Sequence, residues 1–302
     1  MRRRPFPPST VAAVLAVVAA LLCGCGGTPA DAGPAPDPGV RIASYDFPEN
    51  QTLAEVYAEA LRRAGVEVTV QHGIGPREVV FPALEQGVVD LVVDYLGTAS
   101  DFAEPGSGSV HDDPAPLREG LAQELAPRGL TVLAAARAED QNGFVVLTRL
   151  AEQHGTTTLT QLAPLARELV FGGPPECTER RFCLPGLREV YGIDFAEVRS
   201  MPSRSATVEA LLSGQIDVGM LETTDARLTD ASLLLLRDDR SLQPRENVVP
   251  IVRTAVVDER LRAALDGVSA QLTTLDLVGL NRAVAVDGVS PREAAQRWWV
   301  GR

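Results

Sequence analysis

The sequence predicts an α/β protein made of two similar lobes, and three observations carry that prediction. Helix-period and strand-period segments alternate as β-α-β-α-β from Arg41 to Val93, the pattern of an α/β domain. The same plan returns in the second half. One motif, Ala83-Leu84-x-x-Gly87-x-x-Asp90-Leu91, recurs 127 residues later as Ala210-Leu211-x-x-Gly214-x-x-Asp217-Val218. Each copy reads as a helix end, a glycine stop and a strand carrying an aspartate; chance recurrence of a common helix-Gly-strand turn is the alternative. A length of 302 residues is consistent with two domains, and 45% hydrophobic with 23% charged residues gives enough material for a core.

Taken in order, the chain opens on a targeting pattern. Arg2, Arg3 and Arg4 precede an apolar run from Val11 to Leu22, short for a membrane span and suited to a signal segment. Leu22-Cys23-Gly24-Cys25 resembles the lipobox of bacterial lipoproteins. Cys25 is the expected lipidation site, because bulky Leu22 stands before Cys23 where a small residue is wanted. Cleavage that leaves Cys25 free is the alternative. Residues 1–24 are thus expected to be a signal peptide and residues 25–39 a lipoprotein tether, since GGTPADAGPAPDPG cannot bury a core.

Arg41 to Ser44 then forms a strand. Residues 51–64 carry Leu53, Val56, Tyr57, Ala60 and Leu61 at helical spacing and stop at Gly65. Val66 to Val70 alternates as a strand. Residues 76–86 form a helix ended by Gly87, and the apolar run Val88 to Val93 reads as a buried parallel strand. In the second half, Ala166 to Gly172 reads as helix end and strand, Leu184 to Tyr191 and Thr207 to Ser213 as helices, and Gln215 to Leu221 as a strand. Asp258 to Trp299 is mainly helical, with Leu261, Leu265, Val268 and Leu272 on one face. Tyr57 and Tyr191 are expected in the core, Asp90 and Asp217 at local backbone, Asp225 in the loop after its strand, Asp238-Asp239 in a solvated turn. Trp298 and Trp299 are expected to anchor the last helix. Cys177 and Cys183 lie six apart in GGPPECTERRFCLPG; export into an oxidising space favours a disulfide between them. Two free thiols or half a metal site are the alternatives, the latter without a nearby His or further Cys.

Open α/β sheets hold ligands beyond the carboxyl ends of their strands. Five residues past each aspartate of the repeated motif stand Tyr95 and Glu222, which two facing lobes would bring to one cleft from opposite sides.

From Arg41 to Trp299 the chain resembles the substrate-binding proteins of glycine betaine/choline (osmoprotectant) ABC importers. The landmarks are Ser44-x-x-Phe47-x-Glu49, then Asp90 leading to Asp94-Tyr95-Leu96-Gly97-Thr98, Pro175-Glu176 with Arg180, Leu184-Pro185-Gly186-Leu187 and Tyr191-Gly192. Thr224-Asp225-Ala226-Arg227, Leu236 to Arg240 and Leu280-Asn281-x-x-Val284 follow in order. The resemblance implies a type II periplasmic-binding-protein fold, with two Rossmann-like lobes joined by a two-segment hinge near residues 137–144 and 246–254. Residues 40–140 with 250–302 would form lobe 1, and 141–249 lobe 2. It also implies capture of a small-molecule ligand in the cleft, hinge closure, and delivery to a membrane permease driven by an ATPase; the lipobox resemblance adds a lipid anchor holding the receptor to the outer face of the cell membrane. No catalysis, cofactor or metal is implied.

Relatives of this kind hold a quaternary ammonium group in an aromatic cage and a carboxylate with arginine. On that resemblance Tyr95 keeps one cage tyrosine, Thr98 a polar contact, Phe144 a ring where a tyrosine is usual, and Arg180 the carboxylate grip. Ser44, Asn142 and Thr223 complete the expected set with Tyr45, which lies where a lysine often assists, and Glu222. The pattern departs at Val208 and Glu222, where cage tyrosines are common, and at Val92. Glu222 offers a formal negative charge in place of a ring, suited to a cation with N–H donors.

Composition excludes several classes. The chain has no lysine, so Schiff-base and P-loop lysines are excluded. A net charge of −12 argues against binding nucleic acid. Asp94 with Glu222, or His111-Asp112-Asp113, are weak candidates for acid-base chemistry, and no G-x-S-x-G motif is present. A ligand sensor that signals to a membrane partner remains the alternative to import.

Overall fold

The computed structural model describes residues 39–107 and 113–302. The expected signal peptide, Cys25 with nearly all of the tether, and His111-Asp112 lie outside these. The first sheet is entered by β1 (Val40–Tyr45), α1 (Pro48–Arg63), β2 (Val68–Gly75), α2 (Arg77–Glu85) and β3 (Leu91–Tyr95), followed by α3 (Leu96–Ala103), α4 (Pro114–Leu125) and β4 (Leu130–Val132). The chain then builds a second sheet from β5 (Asn142–Leu147), α5 (Thr148–His154), β6 (Val170–Gly173), β7 (Glu197–Ser200), α6 (Arg204–Leu212), β8 (Val218–Glu222) and β9 (Leu233–Leu236). It returns to the first sheet as β10 (Val248–Arg253) and ends in α7 (Glu259–Gln271), α8 (Thr274–Ala285) and α9 (Pro291–Val300).

The two sheets are copies of one design. Their orders, β2-β1-β3-β10-β4 and β7-β6-β8-β5-β9, match strand for strand. In each, a central parallel strand pairs on its other side with an antiparallel strand that arrives from the opposite lobe: β3 with β10, and β8 with β5. The repeated motif accounts for the match. Gly87 and Gly214 both sit at φ +72°, a left-handed conformation that favours glycine after a helix. Asp90 then accepts from the Arg41 backbone N–H while its own N–H donates to the Arg41 carbonyl; Asp217 does the same with Val170. Each aspartate thus pins its strand to the first residues of a neighbouring parallel strand, the local backbone role expected of it. The Arg41 and Arg253 side chains also pair with Asp90.

Both faces of the first sheet are covered. Leu53, Tyr57 and Leu61 of α1 pack with Leu265, Leu280 and Ala294 of the C-terminal helices on one face, while Phe81, Leu84, Leu117 and Leu121 fill the other. Tyr57 is buried with its hydroxyl 3.0 Å from Ser269 Oγ, and Trp299 Nε1 donates to the Val56 carbonyl, so the last helix is tied to α1. The second lobe has its own core around Phe144, Phe171 and Leu187, which also takes in Tyr191.

Three local departures have physical causes. β3 starts at Leu91 rather than Val88, because Val88 is spent on the turn after Gly87 and is 54% exposed. It is parallel to β1 but antiparallel to β10, so the sheet is mixed. Asp238 is not in a solvated turn: its carboxylate accepts from the backbone N–H groups of Leu242 and Gln243 and from the Tyr191 hydroxyl, which organises the chain ahead of the return crossing.

Candidate functional site

Strand polarity brings four chain ends to one place. β3 ends at Tyr95 opposite Val248, where β10 begins, and β8 ends at Glu222 opposite Asn142, where β5 begins. The carboxyl ends of both central strands and both crossings between lobes therefore meet at one edge. Between them lies a cavity of about 480 Å³, within the size range of small-molecule sites.

Lobe 1 supplies an aromatic row. Tyr45 and Phe47 stack at 6.3 Å between ring centroids, and Phe47 and Tyr95 at 6.1 Å. The hydroxyls are committed elsewhere: Tyr45 donates to Asp94 and Tyr95 donates to Glu49. Burial, reinforced by those carboxylates, pushes both phenols well above their usual range, so the rings face the cavity neutral. Arg77, at the start of α2, binds Asp94 at 2.6 Å and the Thr98 hydroxyl at 2.8 Å. Burial opposes the Arg77 charge, and Asp94 outweighs it.

Carboxylates dominate the rest. Eight acidic side chains line the cavity against four arginines. Glu246, on the return crossing, accepts from the backbone N–H groups of Gly97 and Thr98 at 3.0 and 3.1 Å. Burial raises its pKa to about 8, even though those N–H groups and Arg77 favour the anion. Asp140, on the outward crossing, accepts from the Thr224 N–H and the Thr223 hydroxyl. Burial, then Glu49 and Glu222, push its carboxyl well above the carboxylate range. Burial also raises Glu49, which is held by Tyr95 of its own lobe, Thr224 of the second lobe and Asn281 of α8. A site of this kind attracts cations, and the aromatic row gives a methylated cation ring faces to rest on.

The rim on the lobe 2 side is a single short loop. Cys177 and Cys183 form the expected disulfide. The residues between them include Glu179, Arg180, Arg181 and Phe182, all at the cavity, with Glu176 just ahead. Arg180 reaches Glu78 of α2 at 3.0 Å and Arg181 reaches Asp101 of α3 at 3.2 Å, so the disulfide loop touches lobe 1 through two ion pairs.

Of the expected ligand-binding residues, the structure places Tyr45, Tyr95, Thr98, Asn142, Arg180 and Glu222 at this cavity. Arg180 stands at the mouth, paired with Glu78 and Glu176. Three others lie elsewhere. Phe144 is one pleat deeper than Asn142 on β5, about 7 Å further from the cleft edge, and its ring packs on Phe171 in the lobe 2 core. The Ser44 hydroxyl accepts from the Gly73 N–H in lobe 1. The Thr223 hydroxyl accepts from the Gln141 N–H and donates to Asp140, which stitches β8 to the outward crossing. Asp225 is held by Arg227 as a loop anchor. Phe47, Arg77, Asp140, Arg204 and Glu246 are cavity residues that sequence reasoning left out of the site. Phe47 was marked by its place in Ser44-x-x-Phe47-x-Glu49; for the others no local pattern signals that distant strands bring them together.

Residues 38–300 match the family described as the substrate binding domain of ABC-type glycine betaine transport systems. The chain is 27% identical over 269 residues to the glycine-betaine-binding protein of Pseudomonas aeruginosa, covering 85% of each. It is 25% identical over 271 residues to the glycine betaine-binding protein YehZ of Escherichia coli, covering 85% of this chain and 88% of that one. Among solved structures, that of a glycine betaine/carnitine/choline ABC transporter protein superposes with a TM-score of 0.68 at 20% identity, over 87% of this chain and 98% of the other.

Proposed function

The chain belongs to the family of substrate-binding domains of ABC-type glycine betaine transport systems, and from that premise we propose that it captures a small quaternary or zwitterionic amine between its lobes and delivers it to a membrane permease. The observation that carries the ligand class is the cavity itself: a stacked row of three neutral rings from lobe 1 beside a predominantly acidic wall drawn from both lobes and both crossings. Ring faces attract a methylated ammonium without a hydrogen bond, and the carboxylates lower the cost of burying its charge. Of the nine ligand residues expected from sequence, the six that line the cavity are proposed as the ligand set, Tyr45, Tyr95, Thr98, Asn142, Arg180 and Glu222, joined here by Phe47. The family's members are solute-binding proteins, so the carboxylates at the cleft are read as binding groups and not as general acids or bases.

We further propose that Cys25 is lipidated and that the 25–39 segment tethers the receptor to the outer face of the cell membrane, a reading supported by Leu22-Cys23-Gly24-Cys25 and the Gly/Pro/Ala-rich stretch that follows. Replacing Cys25→Ser is expected to move the protein from the membrane fraction to the soluble one.

The central test is a thermal-shift and calorimetry panel of glycine betaine, choline, carnitine, ectoine, polyamines and basic amino acids. A solute present at 100 times its Kd adds about 2.7 kcal/mol to stability, an easily read shift in melting temperature. At least one amine of the panel is expected to bind with micromolar affinity or better. A panel in which none shifts the melt refutes the reading.

A further inference from the structure

We propose that Arg204 is a built-in competitor for the cation seat of the cleft, so that every amine solute binds by displacing it; this rests on the solute-binding reading above. Arg204 opens α6 in lobe 2. Its guanidinium carbon stands 5.5 Å from the centroid of the Phe47 ring in lobe 1. The same group binds Glu222 through Nε at 2.7 Å and Nη2 at 2.6 Å. Phe47 is the middle ring of the aromatic row. A ring face beside a carboxylate is the environment an incoming ammonium group requires, and here an arginine of the chain already has it.

The position is not a surface accident. Arg204, Phe47 and Glu222 line both the main cavity and a small one of about 30 Å³ beside Asn281, so the three form the wall between the two. Burial works against the guanidinium charge and Glu222 outweighs it, which keeps the group a cation. A solute cation that takes the Phe47 face must exchange with Arg204. The exchange is unequal for different amines. An ammonium with N–H donors replaces both the ring contact and the hydrogen bonds to Glu222. A trimethylammonium replaces only the ring contact and leaves the Glu222 oxygen without a donor, a costly outcome for a buried carboxylate. Displacing Arg204 costs the same for either cation, so Arg204 weakens both alike, and the preference for N–H donors is set by Glu222.

Choline and ethanolamine are the matched probes, with the same skeleton and either three methyl groups or three N–H bonds on nitrogen. Calorimetry with both probes and glycine betaine on the wild-type chain, Arg204→Gln and Arg204→Ala is expected to show choline and ethanolamine tightened alike, by about tenfold, in both variants, with the ratio of their two Kd values unchanged. Arg204→Gln keeps the side-chain stem should Arg204→Ala melt too low to titrate. Choline affinity that is unchanged or weaker in both variants overturns the proposal. So does a loss confined to glycine betaine, which would make Arg204 the holder of a solute carboxylate. If no amine binds the wild-type chain or either variant, the solute-binding reading itself fails, a result separable from the other two.

Discussion

Glu246→Gln tests the electrostatic account of the cleft most directly. Glu246 is 2% exposed, and burial carries its pKa from an ordinary 4.5 to about 8. Between those two values the native state holds a proton that the unfolded chain has released. The contribution to stability is therefore complete below about pH 4.5 and is lost as pH rises through about 8. By linkage the full loss is about 5 kcal/mol, and its slope in the middle of the window is about 1.4 kcal/mol per pH unit. Glutamine keeps a carbonyl to accept from the Gly97 and Thr98 N–H groups but carries no titrating proton. Glu49 and Asp140, also pushed upward, are present in both proteins and cancel in the comparison. Urea unfolding of wild type and variant at pH 5, 6, 7 and 8 should show the variant gaining on the wild type by about 1.4 kcal/mol per unit from pH 5 to 7, with the gain levelling near 8. A difference that does not vary with pH, or one that favours the wild type as pH rises, refutes the argument.

Cation binding beside Glu246 and Asp140 should favour their charged forms and release protons at neutral pH. The measured binding enthalpy will then depend on the ionisation heat of the buffer, and less so in Glu246→Gln; an enthalpy independent of buffer counts against proton coupling. Replacing both cysteines of the rim, Cys177→Ser with Cys183→Ser, removes a crosslink across a sequence separation of six and should cost about 2 kcal/mol by chain entropy. Because the same loop presents Arg180, Arg181 and Phe182, solute affinity should fall with it; a lower melting temperature with unchanged affinity would show that the loop is structural only. Gly97→Ala should destabilise by about 1–3 kcal/mol, since a Cβ there would meet Pro244 Cγ at 2.4 Å and the Arg245 carbonyl at 2.8 Å. A variant as stable as wild type in urea would mean that this packing of α3 on the return crossing gives way freely.

Local chemistry and repetition were legible in the sequence; convergence was not. The motif ending in Asp90 and Asp217 announced two equivalent lobes because its helix stop, glycine and strand are all short-range features, and the structure shows the same backbone exchange at both copies. Counting from those aspartates reached Tyr95 and Glu222, since each is the last residue of its strand. The antiparallel strands β5 and β10 overlap the two expected crossings and are not among the expected strands, although Phe144 to Leu147 is an unbroken apolar run and Val248 to Val252 is interrupted only by Pro250. Periodicity marks such runs as buried without saying which sheet they join.

The site itself depends on that missing step. Arg77 finds Asp94 within lobe 1, whereas Glu246 finds the start of α3, and Arg204 finds Phe47, only because two antiparallel strands set the lobes' edges against each other. Each partnership joins residues whose separation carries no pattern: 17 residues for Arg77 and Asp94, 149 for Glu246 and Gly97. Measured against a tyrosine cage, Val208 and Glu222 count as losses. The assembled cleft answers differently. Stacking Phe47 between Tyr45 and Tyr95 restores an aromatic surface from a single lobe, which frees the facing lobe to contribute charge through Glu222 and Arg204. The division of labour follows from which strand ends face each other, a property of topology that a one-dimensional comparison of cage positions does not contain.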